Sequence, residues 1–286
     1  MNDERDERDQ REGRGKIKIR IRIRSGCPEK LPRCAGDGHN FEDGIKLALR
    51  TLMQVIHANC RVQFTARDMD FITAVLGRKK ESAGFLVSLL SDVETRDLIL
   101  DDEMLFRALL EQRGCLRVSP HLYFYVLVRH ALRESGLDDR SVADYVAELL
   151  TEFSREERTR CVLRGQLQPM DYFFEMLTAL QTADDYTAFC LRAHIGNHSL
   201  FFSGVFPDRI RARAERRGFP GLQYYREMGR ASYRAASHHR LANEFDLAPI
   251  FDTLSARFEP TRLALNDLAG RVFSIGDHDL PQFIKG

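Results

Sequence analysis

From Phe41 to the end of the chain, apolar residues recur at intervals of three and four, the spacing that lines one face of an α-helix. Ile45, Leu49, Leu52 and Ile56 make the first such stripe, and Phe85, Leu86, Leu89 and Leu90 a later one. Thr65 with Asp68 three residues on has the form of a capping box, predicting a helix through Phe71, Ile72, Val75 and Leu76 that stops at Gly77. Asp101 or Asp102 opens the next helix, with Leu105, Ala108 and Leu109. Ser119-Pro120 opens a segment apolar nearly all round, which places it centrally. Ser141 starts the clearest amphipath, with Val142, Tyr145, Val146, Leu149, Leu150 and Phe153. Pro169 begins a short helix with Phe173, Met176 and Leu177; Pro207 opens an arginine-rich one; Leu222–Phe245 reads as one long helix; Pro249 and Pro260 open the last two.

The stretch from Asp184 to Phe206, capped by Thr182, carries the widest apolar arc: Tyr186, Phe189, Cys190, Leu191, Ala193, Ile195, Leu200, Phe201 and Phe202. Asp185, Arg192, Ser199 and Ser203 fall opposite. Inside the arc sit His194, Asn197 and His198, polar groups that need partners if that face is buried.

The first residues differ. A mixed-charge run gives way to strict alternation from Lys16 to Arg24, strand-like in period, and then to a loop rich in proline and glycine. Residues 1–40 read as a charged, disordered N-terminal extension. Cys27, Cys34 and His39 lie in it without a recognised zinc spacing. No other strand pattern and no repeat period occurs. The expected fold is all-α, a compact multi-helix bundle of about ten helices forming one domain over 41–286.

Composition narrows the class. Of 286 residues, 43% are hydrophobic and 30% charged, with a formal net charge of +1. This is a globular composition with no global field toward nucleic acid. The six cysteines are scattered without C-x-x-C, which suits a reducing compartment; with no apolar signal segment and no membrane-length apolar run, a cytoplasmic protein is expected. Arginine outnumbers lysine 36 to 7, a bias that suggests a bacterial source of GC-rich composition. No P-loop, dinucleotide-binding glycine motif, nucleophile elbow or kinase signature is present.

Three sets of residues carry candidate chemistry. His194 and His198, four apart, share a helix face, and His239 lies on the inward face of the predicted 222–245 helix with Tyr224, Tyr225, Met228, Ala231, Ser232, Ala235 and Ala242. If the two helices pack face to face, the three imidazoles form a buried histidine cluster able to hold one divalent metal (zinc, iron or manganese), with Tyr225, Ser232 and His239 as catalytic candidates. No carboxylate accompanies them, so hydrogen-bonded structural histidines are the stronger expectation. The second set is Arg209, Arg213, Arg216 and Arg217, with Arg211 spaced to pair with Glu215; residues 203–240 hold nine arginines against three acids. Phosphate-rich ligands suit such a helix. The acidic excess of residues 92–111 and 138–158, able to pair with these arginines within the molecule or across a homodimer, makes a self-paired or solvated face the stronger expectation for that set. The third set is Tyr123, Phe124 and Tyr125 with His121 and His130, which reads as core first, with a planar cofactor on His130 as the alternative.

The leading expectation is a non-catalytic protein–protein interaction or regulatory module, with a protein partner or second copy joined through complementary charged faces. A metal- or small-ligand-binding enzyme using the histidines comes next, and polyanion or nucleic-acid binding through the arginine-rich helix third. No membrane association is expected.

Overall fold

The computed structural model describes residues 55–77, 90, 92–112, 117–154 and 173–275, apart from the side chains of 217 and 273–275. All lie in the unit Gly38–Gly286. The extension at 1–40, including Cys27, Cys34 and His39, lies outside the described residues. The all-α expectation holds: the described residues form a 3-10 turn (Cys60–Gln63) and twelve helices, and no strand occurs among them. These are α1 (Ala66–Leu76), α2 (Val93–Leu100), α3 (Glu103–Leu110), α4 (Pro120–Glu134), α5 (Arg140–Phe153), α6 (Phe173–Leu180), α7 (Asp185–Val205), α8 (Pro207–Arg217), α9 (Leu222–Ser237), α10 (Arg240–Glu244), α11 (Ala248–Ala256) and α12 (Phe258–Ile275). None of the described helices is long and apolar enough to cross a membrane.

Helix starts follow local chemistry. Thr65 and Asp68 form the capping box, and Asp102 and Ser119 cap α3 and α4 as predicted. Two caps sit slightly elsewhere: Asp139 rather than Ser141 caps α5, and Asp184 rather than Thr182 caps α7. In each case a carboxylate accepts backbone N–H groups at about the place where a hydroxyl was expected. Helix α2, capped by Asp92, has too weak an apolar stripe to be read from the pattern.

The core is built on the antiparallel pair α7 and α9. Their close approach depends on two glycines. A Cβ at Gly196 of α7 would lie 2.8 Å from the Tyr233 ring, and one at Gly229 of α9 would lie 2.4 Å from the Phe258 ring and 2.9 Å from Ser199 Cβ. Helix α11 packs on α9, α12 on α7 and α4, and α4 pairs with α5. Fully buried Phe189, Tyr233, Phe251 and Phe258 fill the centre, each worth roughly 2–3 kcal/mol of transfer free energy. A satellite core of Phe173, Met176, Leu191 and Ile195 joins α6 and α7, flanked by Tyr224, Tyr225 and Met228.

Two faces differ from the pattern-based reading. Ser199 and Ser203 are fully buried: Ser199 packs against Gly229 of α9, and α12 covers Ser203, whose carbonyl accepts from Arg262 at 3.2 Å. On α9 the buried residues are Gly229, Ser232, Tyr233, Ala236 and Ser237, whereas Ala231 is exposed. The predicted 222–245 helix is also broken. His238 Nδ1 bonds the Arg234 carbonyl at 2.7 Å, and His239 adopts extended backbone (φ −78°, ψ 140°) before α10 begins.

Candidate functional site

Of the polar groups in the α7 arc, Asn197 has an evident structural role. Its Oδ1 accepts from the hydroxyls of Tyr145 (α5) and Tyr233 (α9), each at 2.8 Å. Burial raises both phenols above their ordinary range, so they stay protonated and remain donors. One amide thus ties three core helices together.

His198 has the opposite situation. Its ring lies edge-on to Phe173 (centroids 5.0 Å apart), beside Phe202 (4.4 Å) and nearly parallel to Tyr225 (6.4 Å). Burial, with smaller contributions from His194 and Arg213, lowers its pKa to about 3. The imidazole is therefore neutral in this fold, and its Nδ1 has no hydrogen-bond partner. His194 lies one turn away, ring centroids 6.3 Å apart, and beside Phe153.

His239 does not join them. Because α7 and α9 run antiparallel, the chain beyond α9 returns to the start of α7. There His239 stacks on Phe189 (5.1 Å) and its Nε2 bonds Asp185 at 2.9 Å. Its Nδ1 accepts the Leu241 N–H, so neither ring nitrogen is left for a metal or a substrate. From Phe189 to His198 is about 14 Å along α7, at 1.5 Å per residue. Among the described residues no group of three His, Cys, Asp or Glu is placed to hold a metal ion. The predicted metal set His194, His198 and His239 is therefore not assembled. The catalytic set fails on the same geometry: Tyr225, the buried Ser232 and His239 are strung along α9 and past its end, about 20 Å from first to last.

The arginine set lies on α8, whose Pro207 start and left-handed Gly218 end (φ 63°) match the pattern. Gly218 turns the chain back so that Phe219 lies under Arg213, whose guanidinium carbon is 4.7 Å from the ring centroid. Arg211 pairs with Asp208 at 2.7 Å rather than with Glu215. Arg209, Arg213 and Arg216 have no carboxylate partner among the described residues; the Arg217 side chain lies outside them. Arg213 and Arg209 stand close enough to Tyr225 to oppose the upward push that burial gives its phenol. The Arg213 charge is also near enough to His198 to help keep its imidazole neutral. Two sets that seemed separate in the sequence, the α7 histidines and the α8 arginines, meet at one corner formed by α7, α8 and α9, next to Tyr225.

The central carboxylates of the acidic segments are neutralised elsewhere. Asp97 and Asp101 receive Arg61 (2.8 Å to Asp97), Arg140 (2.9 Å to Asp101) and Arg129 (3.0 Å to Asp101), and Arg129 also bonds Asp138. Arg61 further bonds Asp144, through its backbone N–H at 2.8 Å and its side chain at 3.3 Å. This network joins the 3-10 turn, α2, α4 and α5, and was missed in the sequence. Its one visible sign was Arg129, a cation in the middle of an otherwise apolar helix and only 2% exposed. Next to it Cys60, His121 and Glu148 gather residue types associated with nucleophilic catalysis. However, the Cys60 Sγ donates to the His121 carbonyl at 3.4 Å, and burial, with Glu148 and Asp144, drives its pKa upward. A thiol so protected is inert.

What the α7–α8–α9 corner offers chemically is positive charge with aromatic support, suited to holding an anion. No protein-family model matches this chain, and no curated protein or solved structure matches it either.

Proposed function

We propose that this protein is a non-catalytic helical binding module that recognises an acidic protein segment through the arginine face of α8 and the adjoining start of α9. The observation that carries this reading is the unequal pairing of charge. Four carboxylates of the acidic segments, Asp97, Asp101, Asp138 and Asp144, are matched internally by Arg61, Arg129, Arg133 and Arg140, whereas Arg209, Arg213 and Arg216 of α8 have no carboxylate among the described residues. Long-range attraction from such a face steers an acidic partner, and register is then fixed by the guanidinium forks. The same pairing speaks against a homodimer joined through residues 92–111, whose central carboxylates already have partners. Buried neutral His198 and the protected Cys60 thiol supply neither a base nor a nucleophile near neutral pH, which further favours binding over catalysis.

The test is a fluorescence-anisotropy titration of the full chain with a peptide rich in Asp and Glu, beside a single-stranded RNA of similar charge. The expected result is saturable peptide binding that weakens as salt rises and is lost on combined reversal of Arg209, Arg213 and Arg216 to Glu. Absence of peptide binding at low salt, binding untouched by the reversal, or binding of the RNA alone overturns the proposal.

A further inference from the structure

Arg209 and Arg213 are one turn apart on α8 and so are neighbours on one face of the helix. Arg213 is held by the Phe219 ring beneath it, 4.7 Å from guanidinium carbon to centroid. Stacking occupies the flat face of a guanidinium and leaves its N–H edge free to form a bidentate fork. Across the corner the Tyr225 ring packs against Phe173 at 4.9 Å, and its hydroxyl makes no hydrogen bond among the described residues. Behind these groups stands His198, nine-tenths buried, neutral, with Nδ1 unpartnered.

The charges decide which anion fits best. Two guanidinium groups one turn apart on α8, with no carboxylate among the described residues, present two positive charges near the Tyr225 phenol. A carboxylate brings a single negative charge and two oxygens in one plane. A phosphoryl group brings a charge of about −1.5 to −2 and three oxygens arranged tetrahedrally. A tetrahedral dianion matches two guanidinium forks and a phenol in charge and in number of acceptor oxygens better than a planar monoanion does. We infer that Arg209, Arg213 and Tyr225 form a phosphoryl-binding site, which anchors a phosphorylated side chain of the acidic partner. This rests on the binding-module reading above and adds the chemistry of the anchor.

The experiment pairs two probes. In the first, inorganic phosphate is titrated into the full chain while the side-chain resonances of Arg209, Arg213 and His198 are followed by nuclear magnetic resonance. Saturable shifts at these three residues are expected, with His198 responding because it stands behind the site. In the second, an acidic peptide containing phosphoserine is compared with its serine counterpart by anisotropy. The phosphopeptide is expected to bind at least about tenfold more tightly. Arg213→Lys, which keeps the charge and loses the stacked fork, removes most of that preference; Arg211→Ala, whose guanidinium is already engaged by Asp208, leaves it intact. If both peptides bind equally and phosphate shifts nothing at the corner, the phosphoryl site is refuted while the acidic-partner reading stands. If neither peptide binds, both fall. Tight RNA binding at the same residues, with no preference for the phosphopeptide, overturns the protein partner.

Discussion

Acidification should weaken this fold through His198, by an amount the structure allows to be worked out. In the unfolded chain a histidine takes a proton near pH 6.5; in the fold, enclosed by Phe173, Phe202 and Tyr225 and near the Arg213 charge, His198 does so only at about 3. Above the upper value both states are neutral and stability is indifferent to this residue. Between the two, the unfolded state holds a proton that the folded state refuses, so stability falls as pH falls, and below the lower value the effect levels off. At about pH 4.5 the loss is roughly 2.7 kcal/mol, two pH units at 1.36 kcal/mol each. Replacing His198 by Leu removes the titration and the unpartnered Nδ1 while keeping an apolar side chain of similar size. The carboxylates held below their ordinary range, Asp138, Asp185 and Glu259, lose their contribution mostly at lower pH and are common to both proteins. Urea unfolding followed by far-ultraviolet circular dichroism at about pH 7, 5.5 and 4.5 gives the stability difference between wild type and variant. That difference should move in favour of the leucine protein by about 2–3 kcal/mol across the series. Stability curves that stay parallel in pH would refute the reasoning.

Three further outcomes test the packing. Gly229→Ala should cost about 3 kcal/mol, because its Cβ would sit 2.4 Å from Phe258; Gly270→Ala on α12, with nothing within 4 Å, should gain about 0.5–1 kcal/mol, both by chemical denaturation. Asn197→Leu strands two buried phenol hydroxyls and should lower stability by about 2–4 kcal/mol, whereas Tyr145→Phe, which leaves the Tyr233 bond intact, should cost about 1 kcal/mol; calorimetric Tm values separate the two. Arg129→Met should destabilise by about 3 kcal/mol by leaving Asp101 short of a buried partner, and raised salt should not reproduce the loss, since the pair is shielded from solvent.

Local patterning along the chain was enough to specify the class of structure and most of its helices. Apolar spacing of three and four is a local property that any helix must satisfy to bury one face, so it is written along the chain wherever the stripe is strong. Caps were legible for a similar reason: Thr65, Asp102 and Ser119 act within three residues of themselves. The short α2, with little amphipathicity, and the break at His238–His239, made by a side chain bonding back to its own helix, left no such periodic trace. The polar residues in the α7 arc were recognisable as groups needing partners, but not which partners. Tyr145 lies 52 residues before Asn197 and Tyr233 lies 36 after it. Only the tertiary structure chose between the histidine cluster and the arginine corner. That choice depended on the direction and register of α7 against α9, set where Gly196 and Gly229 let the backbones approach. Antiparallel packing carried His239 away to Asp185 and brought Tyr225 to His198 and Arg213. Periodicity specifies which face of a helix is buried, whereas the fit of side chains between helices decides what that face meets.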